Sequence, residues 1–205
     1  MNRVGIMGGT FDPIHLGHLA AAEAARASFS LEKVIFVPTG NPPHKAGRIT
    51  PSHHRLEMVK IATADNPYFE VSDVEVFRPG KSYTIDTIDY FQNLIGNKHE
   101  IFFITGADAI LEILTWHDVE RLMQACKFIA VARPGYALNG LNKELSNLPE
   151  YIQKRISVLE VKGLHISSTQ VRSDVQSGKS IHNVVPETVA DYIYKHNLYK
   201  ILSRC

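Results

Sequence analysis

Three short runs of this chain contain apolar residues only, and they constrain its fold more than any other feature. They cover residues 34–37, 101–104 and 128–131. Strands that are apolar on both faces are typical of parallel sheets that helices cover on both sides. Together with three weaker candidates, they predict strands over residues 4–7, 34–37, 71–76, 101–105, 128–132 and 158–161.

Amphipathic stretches lie between these runs, and strands that alternate with helices are typical of α/β domains. The predicted helices cover residues 16–29, 51–64, 85–94, 106–114, 118–125, 148–156, 169–176 and 186–196. Residues 38–49 and 133–147 are predicted to be irregular. We therefore predict one doubly wound, Rossmann-like domain over residues 1–205, with a parallel sheet flanked by helices.

The loops that follow the strands are the expected place for function. In doubly wound sheets, ligands bind outside the carboxyl ends of the strands, at the point where the strand order reverses. The loops after Met7, Val37, Thr105 and Ala132 are therefore expected to face one crevice.

Charge and composition exclude several other classes of protein. The chain has 22 Lys and Arg against 21 Asp and Glu, so its net charge of +1 favours neither nucleic acid nor a membrane surface as a partner. No apolar run approaches the roughly 18 residues of a membrane span, and Gly8 follows too soon for a signal peptide. Two cysteines, Cys126 and Cys205, are too few for a disulfide framework and predict a cytoplasmic protein.

The turn after the first strand has the composition of an anion site. Gly8, Gly9 and Thr10 follow the strand, and glycines let peptide N–H groups approach an anion closely. A helix is then predicted to begin near His15, and helix N-termini also suit phosphate. The turn matches neither the dinucleotide fingerprint Gly-x-Gly-x-x-Gly nor a Walker loop.

Two histidines stand at the start of that helix. His15 and His18 are three residues apart and share one face, with Gly17 between them. Their imidazoles can donate hydrogen bonds to phosphate oxygens as charge develops in a transition state. Taken alone, the pair is more often a helix cap with two packed side chains, but the preceding glycine turn favours the functional interpretation.

The segment from Gly8 to His18 resembles the signature of the nucleotidyltransferase superfamily marked by His-x-Gly-His, in the branch with Gly-Gly-Thr-Phe-Asp-Pro-x-His. A second element, Ile-Ser-Ser-Thr-x-x-Arg, is present at residues 166–172. Ser167 or Ser168 is a good helix N-cap, and Arg172 lies on the same helix face as Ser168. A cap alone would explain the hydroxyls, but two motifs separated by most of the chain are a specific combination.

The middle of the chain narrows the resemblance to one family. Each motif has a plain structural explanation on its own: a solvated loop lysine, a helix cap or core packing. Together they resemble the bacterial nicotinate mononucleotide adenylyltransferases, over most of the chain. The motifs are Pro42-Pro43-His44-Lys45, Ser82-Tyr83-Thr84-Ile85-Asp86-Thr87, Gly106-Ala107-Asp108 with Trp116, and Ala132-Arg133-Pro134-Gly135-Tyr136.

The resemblance implies an enzyme that transfers the adenylyl group of ATP to nicotinate mononucleotide, releasing pyrophosphate, with Mg²⁺ arriving on ATP. The implied catalytic residues are His15, His18 and Arg172. The implied nucleotide-binding residues are Gly8, Gly9, Thr10, Phe11, Asp108, Arg133, Ser167, Ser168 and Thr169, and the acceptor-binding residues are Lys45, Thr84 and Trp116. Backbone N–H groups near Ser82–Thr84 and Trp116 are expected to select the pyridine carboxylate, a preference that rests on the resemblance alone.

Alternatives remain at this stage. Within enzymes, the acceptor could be nicotinamide mononucleotide or phosphopantetheine. From other classes, the chain could be a nucleotide-binding regulator without turnover, or a nucleic-acid module, since His-Leu-Gly-His is similar to the phosphate motif of class I tRNA synthetases. The near-neutral charge disfavours the last of these. The sequence leaves the oligomeric state open, including a homo-oligomer.

Overall fold

The six strands in the described part of the chain belong to one parallel sheet. The structure, a computed structural model, describes residues 2–42, 49–96, 98–132, 138–161 and 165–200. The strands are β1 (Asn2–Gly9), β2 (Lys33–Pro38), β3 (Phe69–Val71), β4 (His99–Gly106), β5 (Lys127–Ala132) and β6 (Ile156–Glu160), in the spatial order β3-β2-β1-β4-β5-β6. This is the strand order of the Rossmann fold, as predicted.

The strand order reverses between β1 and β4. In the central part of the sheet, Met7 of β1 is paired with Phe36 of β2 on one side and with Ile104 of β4 on the other. The chain leaves β1 and β4 at the same edge of the sheet, so their loops diverge and open a crevice there. From the sequence, the ligand site is predicted at this edge of the sheet.

Helices cover both faces of the sheet. They are α1 (Leu16–Phe29), α2 (Ser52–Thr63), α3 (Val74–Phe77), α4 (Thr84–Ile95), α5 (Ala107–Leu111), α6 (Val119–Ala125), α7 (Leu138–Leu145), α8 (Glu150–Gln153), α9 (Ser168–Gln176) and α10 (Glu187–Lys195). A 3-10 turn at Ile113–Thr115 follows α5. None of the helices in the described ranges is long and apolar enough to cross a membrane.

Alternation along the strands divides the core into two faces. In β4, Phe102 and Ile104 pack with α1, α2, α9 and α10, whereas Ile101 and Phe103 pack with α4, α5 and α6. Successive side chains of a strand point to opposite faces, so both faces need apolar residues. The wholly apolar runs in the sequence reflect this two-sided burial.

The third strand was predicted wrongly as residues 71–76. β3 ends at Val71, after only three residues paired with β2. The chain then turns, because Ser72 Oγ accepts a hydrogen bond from the backbone N–H of Val74, and the N–H of Val76 donates to the carbonyl of Asp73. Residues 74–77 therefore form α3, which brings Glu75 into the interior.

Two further predictions fail around β5 and β6. Part of the stretch 133–147, predicted to be irregular, is helix α7, whose Leu141 and Leu145 are four residues apart and pack with Ala107 and Ala132. The helix predicted over 148–156 is the shorter α8, and Ile156 already begins β6. In contrast, α1 begins and ends at the predicted residues.

Candidate active site

Gly8 and Gly9 end β1 at the point where the crevice opens. A Cβ atom on Gly8 would lie 2.6 Å from the ring of Phe103, and one on Gly9 would lie 3.0 Å from the ring of Phe11. Aromatic rings therefore pack directly against the main chain of the turn, and only glycine fits. The same absence of side chains leaves the main chain of the turn open to the crevice, as predicted for an anion site.

His15 and His18 stack on each other at the start of α1. Their ring centroids are 3.7 Å apart, and the ring of Phe11 contacts His18 edge-on at 5.1 Å. The backbone N–H of His15 donates to Nδ1 of His18, at 3.2 Å. Since Nδ1 accepts, the neutral His18 ring carries its proton on Nε2, the tautomer that donates from the far side of the ring.

Gly17 allows this arrangement. A Cβ atom at residue 17 would lie 3.0 Å from Nδ1 and 3.1 Å from Cε1 of His15. The amides of Leu16 and His18 donate to the carbonyls of Val184 and His15, so these two N–H groups of the helix N-terminus are already engaged. These two amides are therefore not available to a ligand, which leaves the imidazoles and the glycine turn as the candidate donors.

The two sequence motifs meet in space. Ser168 Oγ donates to the carbonyl of Pro13 at 2.9 Å, and Arg172 Nη1 donates to the carbonyl of Asp12 at 2.7 Å. Ser167 is the N-cap of α9, with its Oγ accepting from the N–H of Gln170. Residues 166–172 thus hold the turn that precedes the histidines, although 155 residues of chain separate Pro13 from Ser168.

A cavity of about 160 Å³ adjoins the histidines, and we call it the histidine cavity. Its lining is mostly apolar and comes from the face of the sheet that α1 covers. The lining residues are Met7, Gly8, Gly9, Phe11, His15, Gly17, His18, Ala20, Ala21, Ile104, Thr105, Gly106, Val131, Ala132, Val161 and Ile166. Within the described ranges, no carboxylate lines it, so the walls suit an uncharged ring and an anionic phosphate.

A second cavity, of about 250 Å³, opens on the other face of the sheet, and we call it the tryptophan cavity. It shares Gly8, Gly9 and Thr105 with the histidine cavity. The remaining lining residues are Thr10, Thr39, Pro42, Glu75, Ser82, Tyr83, Thr84, Phe103, Ala109, Glu112, Trp116 and His117. The two cavities therefore meet at the glycine turn, one on each side of the sheet edge.

Aromatic rings form one wall of the tryptophan cavity. Trp116 is half-buried and packs edge-on against Phe103 and Phe128, at 6.0 and 6.2 Å between centroids. Tyr83 and His117 stack on each other at 4.4 Å. Such planar surfaces suit a flat heteroaromatic ligand.

Of the other predicted site residues, two are described by the structure and two are not. Asp108 is exposed in α5, beside Gly106, and Thr169 is exposed in the first turn of α9. Lys45 and Arg133 lie outside the described residues, so their predicted roles remain predictions. Two of the backbone donors expected to select a carboxylate are engaged, because Ser82 N–H donates to Asn41 and Trp116 N–H donates to Ile113.

Arg55, which was not identified from the sequence, is a buried arginine that hydrogen-bonds to the loops after β1 and β2. Its side chain is 1% exposed, and it donates to the carbonyls of Thr10 at 2.7 Å, Thr50 at 2.8 Å and Gly40 at 3.1 Å. Burial lowers the pKa of Arg55, while the charge of Asp12 opposes this. A helical wheel would have placed it with Met58 on the buried face of α2.

Glu75 is the second residue that the sequence did not indicate. It lines the tryptophan cavity from α3, and its carboxylate accepts a hydrogen bond from Thr87 Oγ1 at 2.6 Å. Burial raises the pKa of Glu75, against the opposing effects of Thr87 and of Arg78, whose Nη2 lies 3.8 Å away. Because residues 71–76 were predicted to form a strand, Glu75 was not placed in the site from the sequence.

Comparisons with known proteins show which family the sequence resembles. A family model described as cytidylyltransferase-like matches residues 6–174. The chain is 53% identical to the "Probable nicotinate-nucleotide adenylyltransferase" of Moorella thermoacetica, covering 97% of this chain and 92% of that protein. It is 51% identical to the protein of the same name from a Thermoanaerobacter species, covering 97% and 94%.

Solved structures show the same fold. The Plasmodium falciparum nicotinic acid mononucleotide adenylyltransferase complexed with NaAD superposes with a TM-score of 0.78 at 23% identity, over 97% of this chain and 98% of that one. The same enzyme complexed with APC gives a TM-score of 0.74 at 22% identity, over the same shares of both chains.

Proposed function

Since the chain belongs to the cytidylyltransferase-like family, and within it to the nicotinate-nucleotide adenylyltransferases, we propose that it transfers the adenylyl group of ATP to nicotinate mononucleotide. The products are nicotinate adenine dinucleotide and pyrophosphate, and the reaction is a step of NAD biosynthesis in the cytoplasm. The observation that carries the proposal is the pair of cavities that meet at Gly8 and Gly9. Two substrates on opposite faces of the sheet would bring their phosphates together there.

The proposed reaction requires no covalent bond between substrate and protein. A phosphate oxygen of nicotinate mononucleotide attacks the α-phosphorus of ATP in line, a new P–O bond forms, and the bond from the α-phosphorus to the bridging oxygen breaks as pyrophosphate leaves. The nucleophile is already an anion, so no base and no covalent enzyme intermediate are required. Catalysis then consists of positioning and of charge stabilisation.

ATP is proposed to occupy the histidine cavity. The apolar side chains of Ile104 and Val131 would hold the adenine. By resemblance, Asp108, which is exposed in α5, and Arg133 are assigned to the ribose and the nucleotide. His15 and His18 would donate to the α- and β-phosphates from the stacked arrangement described above. The main chain of Gly8 to Phe11 would cradle the phosphates.

The β- and γ-phosphates are assigned to the start of α9. Ser168, Thr169 and Arg172 stand there, and a guanidinium with several donors binds phosphate well. Arg172 donates from Nη1 to the carbonyl of Asp12 and from Nη2 to Oγ1 of Thr169 at 3.4 Å, and these contacts orient its guanidinium group. Mg²⁺ would enter as the ATP complex and keep much of its water.

Nicotinate mononucleotide is proposed to occupy the tryptophan cavity. Its positively charged pyridinium ring would stack on Trp116, with Thr84 at its edge. Helix α4 begins at Thr84, and the amides of its first turn have no partner within the helix, so its positive end suits the pyridine carboxylate. Lys45 is assigned to the incoming phosphate.

One assay tests the proposal against its alternatives. Pyrophosphate release from ATP is measured with nicotinate mononucleotide, nicotinamide mononucleotide and phosphopantetheine. We expect kcat/KM for nicotinate mononucleotide to exceed that for the amide by about a hundredfold, because an amide leaves the donors of the pocket unmatched. Preference for either other acceptor, or ATP binding without turnover, would reject the proposal.

A further inference from the structure

The C-terminal segment contacts the phosphate-binding turn at two points. The carbonyl of Val184 accepts the N–H of Leu16 at 3.0 Å, at the start of α1. The hydroxyl of Tyr199 donates to Oδ1 of Asp12 at 2.8 Å. Residues 12 to 16 are therefore held from both ends by chain that lies more than 165 residues away in the sequence.

Asp12 forms hydrogen bonds with several segments that are far apart in the sequence. Its side chain is buried, with a residue exposure of 5%, and its other oxygen, Oδ2, accepts from the N–H of Thr50 at the longer distance of 3.4 Å. Its main-chain carbonyl accepts from Arg172. Because a buried carboxylate that loses a donor is costly, the short Tyr199 contact fixes the position of Asp12 more than the Thr50 contact does.

The backbone at Tyr199 shows that this contact is imposed by the tertiary structure. After α10, the N–H of Asn197 donates to Tyr194 and the N–H of Leu198 donates to Ile193, a Schellman ending that accounts for the φ of 50° at Asn197. Tyr199 has a φ of 64°, which this helix ending does not require and which is unfavourable for an aromatic residue. The strained conformation places its hydroxyl on Asp12.

We propose that Tyr199 is a positioning residue for adenylyl transfer, acting through Asp12 on the turn that carries His15 and His18. The inference rests on the proposed function for its kinetic readout. Asp12 is three residues before His15, and Pro13 between them is fixed by Ser168. A shift of Asp12 therefore passes along a short, constrained segment to the imidazoles.

The kinetic test compares two single-atom deletions on the same part of the chain. Tyr199→Phe removes the contact with Asp12, while the control Tyr192→Phe removes a hydroxyl that lies 2.9 Å from Nδ1 of His54, away from the site. We expect Tyr199→Phe to lower kcat about tenfold while both KM values stay within about threefold, since misalignment acts on the transition state. Tyr192→Phe should keep kcat, with a similar change of Tm.

A double-mutant cycle tests whether the effect passes through Asp12. In an Asp12→Asn background, Tyr199→Phe should lower kcat no further, because the two residues act as one unit. An unchanged kcat in folded Tyr199→Phe, an equal loss in Tyr192→Phe, or additive losses in the cycle would each overturn the proposal.

A spectroscopic readout separates this inference from the proposed function. Imidazole nitrogen resonances of the substrate-free protein are compared between the wild type and both variants. Tyr199→Phe should shift the signals of His15 and His18, and Tyr192→Phe should shift that of His54. If the wild type turned over none of the acceptors, the proposed function would fail, and these shifts would still decide the positioning role. Unmoved His15 and His18 signals would overturn it.

Discussion

The histidine cavity and the tryptophan cavity share the glycine turn but are built in different ways. The first is fixed by side chains that bond to the main chain of the turn, as Ser168 does to Pro13 and Arg172 to Asp12. The second takes its walls largely from side chains of several separate segments, among them Trp116 after the 3-10 turn and Thr84 at the start of α4. The turn beside the histidine cavity is thus fixed through contacts to its main chain, whereas the tryptophan cavity, the proposed acceptor site, is defined by side chains that can be exchanged.

The largest effect is expected in the histidine cavity. His18→Ala should lower kcat by about 10²- to 10³-fold with little change in KM for nicotinate mononucleotide, because a donor to the developing charge is lost. Steady-state kinetics with varied acceptor measures both constants. His182→Ala, an exposed histidine away from both cavities, is the control. A normal kcat in His18→Ala would remove that residue from catalysis.

Trp116 tests the opposite cavity. Trp116→Ala should raise KM for nicotinate mononucleotide about 10- to 100-fold and leave KM for ATP nearly unchanged, since a stacking surface is worth about 1–3 kcal/mol. Trp116→Phe, which keeps a ring against Phe103, should recover most of the loss. An increase confined to KM for ATP would show that the cavities are assigned the wrong way round.

Gly17 separates activity from stability within the histidine cavity. Gly17→Ala places a Cβ 3.0 Å from Nδ1 of His15, so the ring must shift and kcat should fall about tenfold. Alanine is the better residue in a helix by roughly 1 kcal/mol, so Tm should be kept or raised. Thermal unfolding and kinetics on the same sample check both statements, and a normal kcat would contradict the first.

The smallest expected effect is the contribution of Glu75 to the pH dependence of the free energy of unfolding. Burial raises its pKa in the folded protein, so the unfolded chain loses this proton at lower pH than the folded one. The free energy of unfolding should therefore fall as the pH rises from the ordinary glutamate value of about 4.5 through the raised one. In urea unfolding, the free energy of unfolding of Glu75→Gln should rise relative to that of the wild type over this pH window, and the difference should stay constant above it. A constant difference from pH 4 to 8 would argue against the buried proton.

The sequence predicted the histidine cavity better than the tryptophan cavity, for physical reasons. Gly8 to His18 form a continuous segment, and their spacing alone indicates an anion site. Trp116 and Thr84 were identified by resemblance, since an isolated aromatic or hydroxyl residue looks the same in a core or a cap. Nothing local in the sequence indicates that Asp12 meets Tyr199, because that contact depends on how α10 packs.

The same limit applies to the fold. The fold class and α1 were predictable, since apolar runs and helical periodicity are local signals. The turn into α3 is formed by hydrogen bonds to the Ser72 hydroxyl and the Asp73 carbonyl, and it places Glu75 in a cavity rather than in a strand. Arg55 was missed because a charged residue on a buried helix face is rare, and its three carbonyl partners come from two separate loops, one after β1 and one between β2 and α2.

The assignment of the acceptor to the tryptophan cavity can be tested most directly by fluorescence. Trp116 is the only tryptophan in the sequence, so the intrinsic emission reports on one cavity alone. Nicotinate mononucleotide should quench this emission to saturation, whereas a non-hydrolysable ATP analogue should leave it nearly unchanged, because ATP is assigned to the histidine cavity on the opposite face of the sheet. Quenching by the ATP analogue and not by nicotinate mononucleotide would contradict the account.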